Sequence, residues 1–208
     1  MELIRVTDGE LAFGEDKILD RAELRIKQGE RVCLVGRNGA GKSTFLKILS
    51  GEQDPTSGQV SLEPGKRMAV LSQDHFEFDE LEVLKTVMKG HKRLFEIMEE
   101  KDALYAKPDF SDEDGLRAAE LEAEFGDMEG WNAETDAAEL LSNLGITEDL
   151  HHMKMGELTG SSKVRILLAQ ALFGNPDVLI LDEPTNDLDI KTVAWLEDFI
   201  LDFKNTVI

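Results

Sequence analysis

The chain has 208 residues, of which 41% are hydrophobic, so it can form a buried core and is not disordered throughout. Its formal net charge of −20 argues against a domain that grips nucleic acid by itself, because phosphate contacts need Lys and Arg. The one cysteine, Cys33, excludes a disulfide framework, and the lack of a signal peptide or of an apolar run of ~18 residues leads us to expect a cytoplasmic protein with no membrane span.

Short strands separated by tight turns are predicted over the first third of the chain. The strand candidates are residues 3–6, 10–13, 22–26, 59–62 and 68–72. The apolar run 31–35 is bounded by glycines and predicts a buried strand. A glycine-rich turn follows this run, and residues 43–49 are predicted to form a helix.

An acidic helical segment is predicted for residues 82–150. Between Glu96 and Asp149 there are 18 acidic and 3 basic residues. Apolar residues keep roughly helical spacing, and Pro108 interrupts the pattern, with Ser111 as a candidate N-cap. A solvated helix surface is the ordinary explanation of such a charge run, so the charge alone identifies no partner.

The last third returns to an alternation of helix and strand. Residues 162–173 predict an amphipathic helix, and the apolar run 178–181 suits a strand that is buried on both faces of a sheet. A further helix is predicted over residues 190–203, and residues 205–208 begin a new strand.

The strongest chemical signal lies between a predicted strand and a predicted helix, where residues 36–43 match the pattern G-x-x-x-x-G-K-[ST]. Glycines let the backbone approach a polyphosphate, and successive N–H groups then point at it together with the positive end of the helix. Lys42 is expected to reach the β- and γ-phosphates of ATP, and the Ser43 hydroxyl to bind Mg²⁺. The predicted nucleotide-binding residues are Gly36, Arg37, Asn38, Gly39, Ala40, Gly41, Lys42, Ser43 and Thr44.

Two carboxylates, Asp182 and Glu183, follow the apolar run 178–181. In P-loop proteins an Asp at this place holds Mg²⁺, and an adjacent carboxylate can polarise the attacking water. On an extended strand end the two side chains would point to opposite sides, which would let them take these two roles. Without the P-loop, Asp-Glu before Pro184 would be an ordinary solvated loop.

The order of these motifs resembles that of the ABC ATPase family over essentially the whole chain. Residues 36–43 are similar to Walker A, Gln73 to the Q-loop, residues 158–165 to the signature, and residues 182–189 to Walker B with the D-loop. The resemblance implies an α/β P-loop NTPase fold that binds ATP and Mg²⁺. It also implies one ABC-type domain over 1–208, with an antiparallel β subdomain and P-loop core at 1–81, a helical arm insertion at 82–150, and the signature helix, Walker B and D-loop at 151–208.

More narrowly, the chain is similar to the first domain of ABC-F proteins, which are soluble, have two such domains and act on translation. Asn186 stands where transporter subunits more often have Ser, residues 130–134 resemble ABC-F sequence, and the interrupted helical segment is similar to the ABC-F arm. This resemblance implies the ribosome or its rRNA as a partner. The basic residues near the arm are either an RNA-facing patch or the polar face of a helix; they are Lys85, Lys89, His91, Lys92 and Arg93.

The resemblance also implies roles for single residues. Phe13 would stack on adenine, although a core phenylalanine is the ordinary alternative. Gln73 would contact Mg²⁺ and the attacking water, and with Glu183 it completes the catalytic pair. The implied Mg²⁺ ligands are Ser43, Gln73 and Asp182, and the implied D-loop residues that cross to a partner domain are Asn186 and Asp189.

The signature departs from the family pattern, which is roughly L-S-G-G-[QE]-[KR]. Here the segment consists of Leu158, Thr159, Gly160, Ser161, Ser162 and Lys163. In the family this segment caps the γ-phosphate held by the other domain, so a Cβ at Ser161 would crowd that approach or forbid a positive φ there. An ordinary helix N-cap at Ser161 or Ser162 also fits the segment.

The sequence stops at Ile208, before the place where family members carry a switch histidine, a linker and a second ATPase domain. None of the histidines present is assigned to the switch role; they are His75, His91, His151 and His152. The adjacent pair at 151–152 is expected to lie on the surface rather than to bind a metal. The chain thus resembles a fragment, a divergent half or an engineered chain, whose partner would be a second ABC domain in a homodimer or a missing half.

Three functions follow from these patterns. The first is an ABC-F-type ATPase domain that acts on the ribosome, the second is the ATPase subunit of a membrane transporter, and the third is a nucleotide-binding module without turnover. The acidic insertion and Asn186 favour the first over the second. Because the signature is altered and the switch histidine is missing, we expect the isolated chain to bind Mg-ATP, to hydrolyse it slowly, and to dimerise only with ATP.

Overall fold

The computed structural model describes residues 1–13, 16–71, 77–186 and 188–208, except for the side chains of Phe13 and Asp16. The chain divides into two compact units, of which the first comprises residues 1–71 with 175–208 and the second comprises residues 72–174. The strands lie in the first unit, and the second is built from helices. The α/β class predicted from the sequence is therefore confirmed.

Three antiparallel strands form one sheet of the first unit. The central strand β1 (Glu2–Phe13) pairs with β2 (Asp16–Lys27) on one side and with β3 (Ser57–Leu62) on the other. Ile4 of β1 faces Ile26 of β2, which places apolar side chains of both strands in the core. This sheet corresponds to the antiparallel β region that the sequence predicted at the start of the chain.

The sequence predicted two short strands at residues 3–6 and 10–13, and the structure joins them into β1. Asp8 has a φ of 47°, and the pairing with β2 shifts its register between Val6 and Gly9. The Asp-Gly pair therefore forms a bulge inside a continuous strand instead of a turn between two strands.

Three parallel strands form the second sheet, in the order β4 (Met68–Val70), β5 (Val178–Ile180) and β6 (Thr206–Val207). All of β5 is buried, as its continuous apolar run predicts. Helix α1 (Lys42–Ser50) contributes Leu46 and Leu49 to the core that β1 and β5 share, and helix α7 (Ile190–Asp202) leads from β5 to β6.

The buried strand predicted at residues 31–35 is not present. Arg31 forms a single parallel bridge to Val207, and the residues after it have no regular structure as far as α1. Val35 is 85% exposed. A strand buried on both faces needs a partner of similar length, whereas the neighbouring β6 has two residues and pairs with Arg31 alone in the 31–35 run.

The second unit consists of five α-helices among the described residues. They are α2 (Val83–Met88), α3 (Lys92–Tyr105), α4 (Asp112–Asp127), α5 (Ala133–Asn143) and α6 (Gly160–Leu172). Ser111 caps α4 as predicted, since its hydroxyl accepts from the Asp114 backbone N–H while the Asp114 carboxylate accepts from the Ser111 N–H. Within the described ranges, no helix combines the length and the apolar composition that a membrane crossing requires.

Ion pairs join α3 to α4 along the acidic hairpin that these helices form. The Arg117 guanidinium donates to both Glu100 oxygens, at 2.6 and 3.0 Å, and Arg93 makes a matching two-bond contact with Glu124. Lys101 is held between Glu122, at 2.9 Å, and the Phe125 ring, at 3.8 Å. Part of the charge run predicted as a solvated surface thus holds the two helices together.

Candidate functional site

The glycine-rich loop of residues 36–43 ends on helix α1, whose N-cap is Gly41. Gly39 and Gly41 have φ values of 79° and 88°, a region that side chains with a Cβ rarely adopt. The Ala40 N–H donates to the Arg37 carbonyl at 3.1 Å, which closes a turn within the loop. The loop therefore has the backbone conformation that its glycines predict, and residues 36–40 are exposed.

Lys42 lies at the first position of α1 and folds back over this loop. Its ammonium donates to the Gly36 carbonyl at 3.0 Å and to the Arg37 carbonyl at 3.2 Å. The two carbonyls hold the positive charge at the mouth of the loop, where an anion bound by the loop amides would meet it.

One cavity of about 250 Å³ brings the loop and a distant carboxylate together. It is lined by Ile18, Asn38, Gly39, Gly41, Lys42, Ser43, Thr44 and Glu183. The lining thus includes six of the predicted nucleotide-binding residues between 38 and 44, as well as the predicted catalytic carboxylate. Gly36 and Arg37 contribute through their contacts with Lys42.

The side-chain oxygen atoms at this cavity suit a divalent cation that is bound together with a polyphosphate. The Ser43 side chain is exposed at the cavity, and Asp182 precedes Glu183 in the chain. Mg²⁺ prefers oxygen ligands and is usually held by one or two protein groups plus substrate phosphates. Among the described residues, no three His, Cys, Asp or Glu side chains cluster in a way that could hold a metal ion by themselves.

The backbone at Glu183 differs from the extended strand end that the sequence predicted. Strand β5 ends at Ile180, and Glu183 has a φ of 48° in a bend. The expectation that Asp182 and Glu183 alternate across an extended strand was wrong, because the chain bends at these two residues. Positive φ in a residue other than glycine is costly and concentrates at functional sites.

Ile18 lines the cavity and was not singled out in the sequence. It lies on β2, and a Cβ atom on Gly41 would be 2.2 Å from its Cγ2 atom. No local pattern marks this residue, because its contact with the loop depends on how the antiparallel sheet is placed against α1.

Several predicted residues lie outside the described part of the structure. Gln73 and the Phe13 side chain are among them, so their predicted contacts with Mg²⁺, water and adenine stay predictions. Asp187 of the predicted D-loop is also outside the described residues.

The predicted signature residues lie in the second unit, at the start of α6. Thr159 is the N-cap, and its hydroxyl accepts from the Ser162 N–H at 3.4 Å and lies 3.0 Å from the Ser162 hydroxyl. The alternative that Ser161 or Ser162 caps the helix was wrong by two or three positions. Ser161 has no positive φ and is part of α6, so its Cβ causes no backbone strain here. Leu158 precedes the cap in an extended conformation, and Gly160 has open space at its Cβ position.

The two predicted D-loop residues have distinct local contacts. Asp189 is the N-cap of α7, and its carboxylate accepts from the N–H groups of Lys191 and Thr192, both at 3.0 Å. The Asn186 side-chain amide donates to the Glu183 carboxylate at 2.9 Å.

The histidine pair does not lie on the surface as a pair. His151 is only 3% exposed, and its Nε2 lies 3.2 Å from the Ile146 carbonyl oxygen, whereas His152 is exposed. The surface expectation was therefore wrong for His151, since this ring satisfies a backbone carbonyl in the core of the second unit.

The basic residues near the arm are partly engaged within the second unit. Arg93 binds Glu124, Lys92 lies 3.9 Å from Glu96, and the His91 ring accepts from the Leu94 N–H at the start of α3. Lys89 lies 5.5 Å from the centre of the Phe95 ring. These contacts favour the polar face of a helix over an RNA-facing patch.

Comparison with known proteins gives consistent matches. A family model described as "ABC transporter" matches residues 19–186. The chain is 59% identical over 206 residues to "Uncharacterized ABC transporter ATP-binding protein YkpA" of Bacillus subtilis (strain 168), covering 99% of this chain and 38% of that protein. It is 33% identical over 202 residues to "ABC transporter F family member 4" of Arabidopsis thaliana, covering 92% of this chain and 27% of that protein.

The chain therefore spans well under half the length of these curated relatives. Among solved structures, it matches "Dimeric structure of a post-hydrolysis state of the ATP-binding cassette MJ0796 bound to ADP and Pi" with a TM-score of 0.68. That match covers 99% of this chain and 86% of the other, at 22% sequence identity, so it concerns the fold alone.

Proposed function

Since this chain belongs to the ABC transporter family, we propose that it is an ABC-F-type domain that binds and hydrolyses Mg-ATP and acts on translation in the cytoplasm. The observation that carries the proposal is that Glu183 lines one cavity together with Lys42 and Ser43, although it lies far from them in the sequence. A phosphate-binding loop beside a carboxylate is the arrangement that phosphoryl transfer to water needs.

The residues of this cavity have complementary roles in the proposal. The loop amides and the α1 N-terminus hold the phosphates, and the Lys42 ammonium neutralises charge on the β- and γ-phosphates. Ser43 and Asp182, with Gln73, hold Mg²⁺, which when bound offsets the charge that develops on the phosphate oxygens. Glu183 accepts a proton from the attacking water, and Phe13 stacks on the adenine.

A second ABC domain completes the site in this proposal, either as another copy of this chain or as a further domain of a longer protein. Residues 158–162 and the D-loop residues Asn186 and Asp189 would face that partner. The domain arrangement that we propose keeps the β subdomain and P-loop core at 1–81, the arm at 82–150, and the signature helix with Walker B and D-loop at 151–208. Hydrolysis by the isolated chain is slow, because half of the closed site comes from the partner.

The ABC-F assignment is supported by the relative named as an F family member, by Asn186, and by the helical hairpin of α3 and α4 at the position of the arm. The ribosome is the partner that this assignment implies. Sedimentation of the ATP-loaded Glu183→Gln variant with ribosomes, and not with membrane vesicles, is the expected result. Sedimentation with membrane vesicles alone would favour a transporter subunit.

The ATPase proposal is tested by single-turnover hydrolysis of Mg-ATP, with the chain in excess over labelled nucleotide. We expect measurable phosphate release by the wild-type chain and background release by Glu183→Gln. Equal release by both chains would overturn the catalytic assignment and leave a nucleotide-binding module.

A further inference from the structure

The Glu183 carboxylate is held by one side chain within its own turn. The Asn186 amide nitrogen donates to Glu183 Oε2 at 2.9 Å, and it is the hydrogen-bond donor to this carboxylate among the described residues. Both side chains are exposed, so without this contact the Glu183 side chain would be free to rotate about three bonds.

This contact is not needed to close the turn. The Asn186 backbone N–H already donates to the Glu183 carbonyl at 3.1 Å, which joins the two ends of the turn. A side chain that serves the turn itself usually bonds to backbone groups, whereas the Asn186 amide bonds to a carboxylate. The ordinary explanation, a turn-stabilising asparagine, leaves this choice of partner unexplained.

The backbone gives a second reason to treat the contact as functional. Glu183 has a φ of 48°, which turns the backbone away from an extended course, and Glu183 lines the same cavity as Lys42 and Ser43. The strained backbone and the Asn186 amide together fix where the carboxylate lies relative to the loop. A general base works best when its position is fixed, because displacing it by about 1 Å can lower the reaction rate on the order of a hundredfold.

We propose that Asn186 is a positioning residue that holds the Glu183 carboxylate toward the cavity for the attack of water on the γ-phosphate. This inference rests on the proposed function, since it requires Glu183 to be the catalytic carboxylate. Asn186 thus acts on Glu183 of its own chain, in addition to facing the partner domain as part of the proposed D-loop.

The variants Asn186→Ala and Asn186→Asp separate this role from a structural one. Alanine removes the donor, whereas aspartate keeps the shape of the side chain but places a second carboxylate at hydrogen-bond distance from the first. Like charges so close repel and displace Glu183. Thr185→Ala, an exposed neighbour in the same turn, is the matched control.

The test is single-turnover hydrolysis over a range of Mg-ATP concentrations, with the unfolding midpoint of each variant measured alongside. We expect Asn186→Ala to lower the maximal rate about tenfold or more, with the half-saturating ATP concentration unchanged, and Asn186→Asp to lower it further. Thr185→Ala keeps the wild-type rate. In the Glu183→Gln background, Asn186→Ala changes nothing more, because the carboxylate that it holds is gone.

Two results overturn the inference, and they are distinguishable. In the first, Glu183→Gln abolishes hydrolysis, but Asn186→Ala does not slow it or Asn186→Asp slows it less than Asn186→Ala does. Asn186 is then not a positioning residue, and the proposed function stands. If Glu183→Gln hydrolyses ATP as fast as the wild type, the catalytic role of Glu183 is wrong, and the inference falls with it.

Discussion

Ile18 on β2 lies against Gly41 at the N-terminus of α1, so close that a Cβ atom on Gly41 would be 2.2 Å from the Ile18 Cγ2 atom. Gly41 also has a φ of 88°. Two independent constraints thus require glycine at this position of the loop, and one of them comes from a strand of the antiparallel sheet. The glycine-rich loop of residues 36–43 is shaped by the sheet as well as by its own sequence.

Gly41→Ala should therefore lower the free energy of unfolding by at least about 2 kcal/mol, because both the strained φ and the clash oppose it. Gly36→Ala is the control, since its Cβ would meet Ala40 at an ordinary 3.5 Å, and we expect a change within about 0.5 kcal/mol. Thermal unfolding of these variants measures the effect. If the clash contributes, Gly41→Ala costs less in an Ile18→Ala background, and an equal cost in both backgrounds would contradict the contact.

The buried histidine gives a prediction with a matched neighbour. His151→Ala removes a ring that is packed in the second unit and leaves the Ile146 carbonyl without that contact, so we expect a loss of about 1–3 kcal/mol in unfolding free energy. His152→Ala removes an exposed ring and should change stability by less than about 0.5 kcal/mol. Denaturant unfolding distinguishes the two, and equal losses would show that His151 is not the structural member of the pair.

An ion pair joins the start of α6, where the predicted signature lies, to the segment that follows the predicted Q-loop. Lys163 on α6 is 6% exposed in its side chain and lies 2.5 Å from an Asp79 carboxylate oxygen. Lys163→Met leaves Asp79 without this partner, and because Asp79 is partly solvated we expect a loss of about 1–3 kcal/mol, below that of a fully buried pair.

Lys154 and Glu80 form an exposed pair in the same unit, at 3.0 Å, and serve as the control. Lys154→Met should cost less than about 1 kcal/mol, because exposed ion pairs contribute little. Unfolding curves for the two variants would contradict the importance of the Asp79–Lys163 pair if Lys154→Met were the more destabilising change.

The capping of α4 predicts a dependence on acidic pH. The Lys107 ammonium, and then the N–H and hydroxyl of Ser111, lower the pKa of Asp114 from 3.8 to about 2. Because the pKa is depressed in the folded chain, its stabilising effect is complete above the ordinary pKa and is lost as the pH falls from about 4 toward 2.

Asp114→Asn removes this titration and retains a polar side chain at the cap. The difference in unfolding midpoint between wild type and Asp114→Asn should therefore shrink between pH 4 and pH 2. Asp112→Asn, in the same first turn of α4, is the control for general loss of negative charge. A difference that stays constant over this pH range would contradict the role of Asp114.

Much of the fold could be predicted from the sequence, because strong local patterns decide it. The glycine loop, the apolar run of β5 and the Ser111 cap each depend on a few neighbouring residues. Predictions that depended on strand partners were less accurate. Residues 31–35 are apolar enough for a buried strand, yet only Arg31 pairs, and Asp8-Gly9 is a bulge because β2 and β3 continue past it.

The site shows the same division. Lys42 and Glu183 could be predicted, since their motifs are local, and the structure brings both to one cavity. The place of Ile18 at the cavity could not be predicted, because it depends on how the antiparallel sheet is placed against α1. The positive φ of Glu183 and the hydrogen bond from Asn186 to the Glu183 carboxylate could not be predicted either, because they arise from a turn that begins after β5 ends. His151 was misjudged because sequence does not show which of two adjacent rings faces the core.

Calorimetric titration of the chain with Mg-ATP shows whether the loop around Lys42 binds the nucleotide. We expect binding by the wild type, with affinity lowered roughly tenfold or more in Lys42→Ala, because a charge-assisted contact with the phosphates is lost. Lys47→Ala, which removes an exposed lysine from the last turn of the same helix, should bind like the wild type. Equal affinities of Lys42→Ala and wild type, or no binding by the wild type, would show that this loop does not bind Mg-ATP.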